Sequence, residues 1–257
     1  MKSKSFLPLF TTNFFGVVND NCLKTLAMFI VCDWIADERM KSLFMGTAAA
    51  AFVLPYIFCS PLADRLMQKT GKLTTLRAAK YAEIPIVALA IAGFFLHSAA
   101  LIVFSVFLMG LQSSLYSPAK YALVRDIGGS GRLSTGLGWM DGLSFFGMLS
   151  GTVFASFLAD SAPPVVHYGC LLLFAVLGLA ASYTIRAEDE RSVKKNPLDP
   201  FSFLFSVHAW TKTIRDIDLV IVFSGIFWWT AATMQMGLLL YGVEVLKLSS
   251  FQTGIML

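Results

Sequence analysis

The sequence predicts an all-α protein that crosses a membrane many times, and three observations lead there. Of its 257 residues 56% are hydrophobic and only 14% charged, whereas soluble domains carry about 25% charged residues. Apolar runs of about 20 residues or more, the length a spanning helix needs, follow one another along the chain. Basic residues crowd into alternate connections between these runs, as they do on the cytoplasmic side of membrane proteins. This composition argues against a soluble enzyme, a disordered tail and a nucleic-acid binder. The runs far exceed the 9–11 residues of a membrane β-strand.

Seven spanning segments are predicted, at 6–35, 40–63, 73–97, 99–125, 132–160, 163–186 and 217–246. The first follows Lys2 and Lys4 and begins like a signal peptide. It does not stop at signal-peptide length, no A-x-A-like cleavage site follows, and it continues through Asn19-Asp20-Asn21 to Trp34. Segments longer than 25 residues tilt or project from the bilayer. Arg65, Lys69, Lys72, Arg77, Arg125, Arg132 and Arg186 fall on one side with the N-terminus, and Arg39, Lys41 and Lys247 on the other. That asymmetry predicts a cytoplasmic N-terminus. An eighth apolar segment opens near Ser249 and is cut at Leu257.

Composition divides the chain into a six-helix bundle at 1–186, a linker at 187–216 and the start of a second bundle at 217–257. The linker carries Glu188-Asp189-Glu190-Arg191, Lys194-Lys195, Pro197 and Pro200, and then Phe201–Arg215, which reads as an amphipathic helix on the inner membrane surface. Six helices, a charged cytoplasmic linker and further helices make the layout of a major facilitator transporter, in which two six-helix halves pack around a midplane cavity. A second half needs six helices, so the chain is expected to be the N-terminal half of that fold with helix seven and a truncated helix eight.

Charge inside a spanning helix costs about 2.5–3.5 kcal/mol on insertion scales, so each such residue needs a reason. Asp20 lies deep in the first segment, flanked by Asn19 and Asn21, with Lys24 one turn on. Two explanations stand: Asp20 and Lys24 neutralise each other, or they face a cavity as a substrate or proton site. Lys80 and Glu83 form an i,i+3 pair beside Pro85, read as structural, with Lys80 snorkelling to the inner surface. Lys120 follows Pro118, and its compact ammonium suits either a phosphate or carboxylate, or the headgroup layer. Asp141 is a candidate partner for it. The loop between the second and third segments carries Ser60-Pro61-Leu62-Ala63-Asp64-Arg65 and then Gly71-Lys72, which resembles the major facilitator loop signature, and that resemblance implies gating rather than binding. Gly147 and Gly151 read as sites of close helix packing. Cys22, Cys32, Cys59 and Cys170 read as apolar packing residues without metal-ligand spacing. His97, His167 and His208 are placed at helix ends or in the linker. No catalytic constellation, metal site or cofactor is expected.

Four stretches carry a resemblance. They are Phe6-Leu-Pro-Leu-Phe-x-x-Asn13-Phe-x-Gly16-x-x-Asn19-Asp20-Asn21, Leu62-Ala63-Asp64, Lys80-Tyr-Ala-Glu83-Ile, and Met109-Gly-Leu-Gln-Ser-x-x-Tyr116-Ser-Pro-Ala-Lys120-Tyr121-Ala. Together the sequence resembles the bacterial lysophospholipid transporters of the major facilitator superfamily, some of which are fused to an acyltransferase and an acyl-carrier-protein synthetase. Ser60 stands where the superfamily loop signature has Gly, and Gly71-Lys72 comes a few residues late. The resemblance implies that Asp20 and Lys120 meet a lipid headgroup. The substrate-binding candidates are therefore Asn19, Asp20, Asn21, Lys120 and Tyr121, with Asp64, Arg65, Lys80 and Glu83 as gating or structural charges. It implies an inner-membrane carrier of lysophosphatidylethanolamine-like lipids rather than an enzyme. Its partners would be the lipid substrate, membrane lipids and a fused or separate acyltransferase, with no nucleic acid. Two other readings remain: an exporter of drugs or amphipathic solutes, and the membrane module of a multidomain acyl-transfer enzyme.

Overall fold

The computed structural model describes residues 5–187 and 217–257. The expected amphipathic helix at 201–215 and His208 lie outside the described residues. Helix α1 spans Leu7–Trp34 and starts with Pro8 in its first turn, where a missing N–H costs nothing. Helix α2 spans Glu38–Thr70 and is capped by Asp37, which accepts from the Met40 N–H at 3.0 Å. Helix α3 spans Lys72–Phe95. Helix α4 spans Ala99–Ser161, with non-helical backbone at Gly129 (φ 60°, ψ −170°) that divides it into α4a (99–128) and α4b (130–161). Helix α5 spans Pro164–Tyr183 and α6 spans Ile217–Leu240. A π-helical turn, Tyr241–Val245, continues α6. The short α7, Ser250–Met256, is capped by Ser249 and Gln252 reciprocally.

Six helices among the described residues are long and apolar enough to cross a membrane, and α4, at 63 residues, has length for two crossings. It doubles back: the Tyr121 hydroxyl donates to Asp141 across the hairpin, and Gly136 lies against Val124. The segments at 99–125 and 132–160 are thus found, but the connection between them is a single non-helical residue rather than a loop.

The second difference from expectation is at α2. It runs seven residues past the predicted end, so Asp64 and Arg65 sit on a helix and not in a loop. Pro61 removes one backbone donor without breaking the helix. Ser60 bonds back to the Tyr56 carbonyl, Gln68 donates to Asp64 one turn away at 2.6 Å, and the helix ends only at Gly71, whose φ of 101° favours glycine.

α1 is the central helix, packed against α4a, α4b and α5. Its Leu23, Leu26 and Phe29 join Val87 and Phe94 of α3, Met109 of α4a, Ala155 of α4b and Leu171 of α5 in one apolar cluster. Leu9 joins Leu76, Leu123 and Met140 in a second cluster at the other end. Close approach needs missing side chains. A Cβ on Gly151 would meet the Val18 carbonyl at 2.6 Å, and one on Gly110 would strike the Phe52 carbonyl. Gly147 lies less closely against Val17, which a Cβ would meet at 3.3 Å. α6 touches the rest sparingly; its Phe223, Phe227 and Trp229 are exposed, as a lipid-facing surface would be.

Candidate functional site

Between the two apolar clusters lies a polar layer drawn from α1, α3 and α4a. Buried Glu83 is its anchor. It accepts from Lys80 Nζ at 2.7 Å and from Asn19 Nδ2 at 2.6 Å, so each carboxylate oxygen has a donor. Glu83 and Asn19 are fully buried and Lys80 is 2% exposed. Lys80 therefore does not snorkel. Its stem runs inward past Gly16, where any Cβ would strike Nζ, and the ammonium also lies 5.0 Å from the centre of the Tyr116 ring. An ion pair this buried persists because both partners are hydrogen-bonded.

Asp20 and Lys24 do not neutralise each other by contact: no ion pair joins them among the described residues. Asp20 accepts from the Ser113 hydroxyl at 2.8 Å, a proton for which the Gln112 side-chain oxygen, also at 2.8 Å, competes. Lys24 rests over the face of Phe52 on α2, 4.2 Å from its centre. A cation–π contact of this kind contributes about 0.5–2 kcal/mol. That is less than the roughly 2.5–3.5 kcal/mol that charge costs at mid-helix.

Lys120 donates to the amide oxygen of Asn13 at 3.1 Å, and that amide in turn donates to Ser144 of α4b at 2.8 Å. The ammonium lies 5.0 Å from the Tyr121 ring centre and 5.9 Å from that of Tyr116. Asp141, the expected partner of Lys120, hydrogen-bonds instead with the Tyr121 hydroxyl at 3.1 Å, although its charge still acts on Lys120 together with that of Asp20.

Asp20 thus meets Ser113 of α4a, and Lys120, about two turns further along α4a, reaches Asn13 of α1, while the partly exposed Tyr121 bonds Asp141 of α4b. Asn19 donates its Nδ2 to Glu83, and its Oδ1 is buried without a hydrogen-bond partner among the described residues. Asn21 is turned away from the layer: it bonds back to the Val17 carbonyl at 2.8 Å and rests against Gly151 of α4b. Asp64 and Arg65 lie far along α2, and the Nε and Nη2 of Arg65 are buried without a hydrogen-bond partner among the described residues. His167 lies in the first turn of α5, at a helix end as expected, but is buried, with Nε2 at 2.9 Å from the Leu158 carbonyl. His97 packs against Trp34 just past the end of α3, with the rings tilted by 43°. All four cysteines are free.

Sequence reasoning had Asn13, Gln112, Ser113 and Tyr116 only within the motifs of the resemblance, with no site role, and missed Ser144 altogether. Asn13 could have been assigned a role: it lies seven residues, two helical turns, before Asp20 and hence on the same face. Ser144 could not, because only the reversal at Gly129 brings it to Asn13. No group of three or more potential metal ligands occurs among the described residues.

The Major Facilitator Superfamily profile matches residues 9–257. Among curated proteins, the lysophospholipid transporter LplT of Photorhabdus laumondii is 25% identical over 150 residues, 57% of this chain and 37% of the relative. Its namesake from Yersinia pestis (strain Pestoides F) is 24% identical over 193 residues, 74% of this chain and 44% of the relative. The chain therefore spans less than half the length of these relatives. Among solved structures, a D-xylose–proton symporter superposes with a TM-score of 0.61 at 13% identity, over 97% of this chain and 63% of that one. A peptide transporter, POT, gives 0.50 at 15% identity, over 94% and 52%. The profile match begins in the first turn of α1, crosses the hairpin at Gly129 and reaches the last residue, and on that evidence the chain belongs to the Major Facilitator Superfamily.

Proposed function

We propose that the chain is part of a transporter that moves lysophospholipids across a bacterial cytoplasmic membrane, supplying them for re-acylation inside. The observation that carries this reading is the state of Asp20 and Lys120. Each is held by a neutral partner, Ser113 or Asn13, and not by an opposite charge in direct contact. Opposite charges so held keep their electrostatic interaction for a ligand that brings both signs, such as a headgroup with one amine and one phosphate. The lysophospholipid transporters among the relatives lend the substrate class. An acyl chain needs no polar partner and stays against the apolar helix walls while the headgroup crosses.

The test is flipping of labelled lysophosphatidylethanolamine in proteoliposomes. Loss of a charge-assisted hydrogen bond costs about 1.5–3 kcal/mol, so Asp20→Asn and Lys120→Ala should each slow flipping roughly tenfold to a hundredfold. Neither substitution strands a directly paired charge, so thermal stability should hold. Unchanged flipping in Asp20→Asn would remove the basis of the reading. Drug or solute export without lipid flipping would support the exporter alternative.

The reading also places the N-terminus inside. In a background lacking Cys22, Cys32, Cys59 and Cys170, an impermeant thiol probe added from outside should label Asp37→Cys and spare Ser130→Cys. Equal labelling of the two positions contradicts this orientation.

A further inference from the structure

The cations of the described residues differ in how well they are compensated. Lys80 has Glu83, Lys72 has Asp126 at 2.5 Å and Lys41 has Glu244 at 2.7 Å. Lys120 has an amide oxygen, and the charges of both Asp141 and Asp20 act on it. Lys24 has a ring face, and Asp20 is the carboxylate that acts on it. An ammonium carries three N–H donors. For Lys24 no acceptor for any of them lies within hydrogen-bond distance among the described residues. Phe52 attracts the charge through its ring quadrupole and supplies no oxygen. As shown above, that attraction offsets only part of the cost of placing charge at this depth. The arrangement is that of a cation parked on an aromatic ring, beside the proposed headgroup contact, lacking the oxygens that would complete it.

Position along α1 gives the site a direction. Lys24 is four residues from Asp20, or about 6 Å along the helix toward Trp34. Asn13, which receives Lys120, is seven residues from Asp20 the other way, about 10 Å. Asp20 therefore lies between two ammoniums, one toward each membrane face.

Resting on the lysophospholipid reading, we propose that Lys24 is a second phosphate-binding station, which leaves the Phe52 ring to take the headgroup phosphate at one stage of transport while Lys120 takes it at another. With the amine held at Asp20, the phosphate swings from one lysine to the other. A tetrahedral phosphate presents several acceptor oxygens to the three donors of Lys24 and brings a negative charge into direct contact with it, which no described residue does.

The experiment measures binding to the purified chain in detergent for three probes. Lysophosphatidylethanolamine carries amine and phosphate, lysophosphatidic acid carries phosphate alone, and monoacylglycerol carries neither. Lys24→Gln should weaken the two phosphate-bearing probes by roughly tenfold or more, the loss of one charge-assisted hydrogen bond. It should leave monoacylglycerol unchanged, and Lys24→Arg should restore most of the affinity. Lys24→Met, which keeps the length of the stem, guards against a packing defect; it should behave like Lys24→Gln and keep the wild-type melting temperature. Equal weakening of all three probes, or a large fall in melting temperature in both variants, makes Lys24 a packing residue and overturns the proposal. Unchanged phosphate binding in Lys24→Gln, alongside losses in Asp20→Asn and Lys120→Ala, overturns this inference alone and leaves the lysophospholipid reading standing. No loss in any of the three overturns both.

Discussion

Glu83 shows how much one residue can hold. Its two oxygens tie α3 to α1 through Asn19 and give the buried Lys80 ammonium an acceptor. Glu83→Gln should therefore leave an uncompensated buried ammonium and lower stability by about 3–5 kcal/mol. Adding Lys80→Met should recover much of that loss, because it removes the stranded ammonium and leaves a neutral amide whose oxygen can still accept from Asn19. Thermal unfolding of the single and double variants checks both expectations, and a double variant no better than Glu83→Gln would refute the pair as the cause. The i,i+3 spacing made this pair legible in the sequence. Its depth was not legible, because Lys80 near a helix end reads as a snorkelling residue until Gly16 is seen to open a channel for its stem. Asn19 was legible as polar, but its partner is 64 residues away and no local pattern points to it. Asp20 and Lys120 were found because charge in a spanning helix is expensive wherever it falls. Their neutral partners Ser113 and Asn13 drew no site role, because hydroxyls and amides carry little of that cost.

At the scale of elements the apolar runs placed every described helix within a few residues, except where helix continues past the apolar stretch. The end of α2 is the clearest case. Asp64, Arg65 and Gln68 are polar and were read as loop, yet their mutual spacing is helical and Gln68 bonds Asp64 one turn away. Hydropathy marks where a helix leaves the hydrocarbon, not where it stops. Gly129 is the opposite case, since one residue does the work of an expected loop. Its φ of 60° with ψ near 180° is a combination essentially reserved for glycine. Gly129→Ala should cost about 1–3 kcal/mol, seen as a lower melting temperature. Ser130→Gly, beside it, should cost much less. Equal effects would show that the hairpin does not depend on that dihedral pair.

At the scale of the whole molecule, the ties between α6–α7 and the first five helices gather at one end. Lys41 of α2 meets Glu244 at 2.7 Å. Asp160, at the end of α4b, accepts from the backbone N–H groups of Ser250 and Phe251 at 3.0 and 2.8 Å. Gly254 lies against Ser156, where a Cβ would meet its hydroxyl. Lys41 and Glu244 side chains are each about one-fifth exposed, so their pair contributes on the order of 1 kcal/mol. Lys41→Glu should loosen this end, with thiol probes at Ser249→Cys reacting faster, and Lys41→Glu combined with Glu244→Lys should reverse the change. No change in reactivity in the single variant would show that Asp160 holds the end by itself. Nearer the middle of α6, Trp228 stacks on Phe145 at 5.8 Å, and most of the remaining surface of the helix is open. A rod of 24 residues measures about 36 Å. Pinned at its Leu240 end, it acts as a lever, and a rotation of about 10° at the pin sweeps the far tip through about 6 Å, one turn of helix. That swing slides the Trp228–Phe145 stack and leaves the hydrogen bonds at the pin in place.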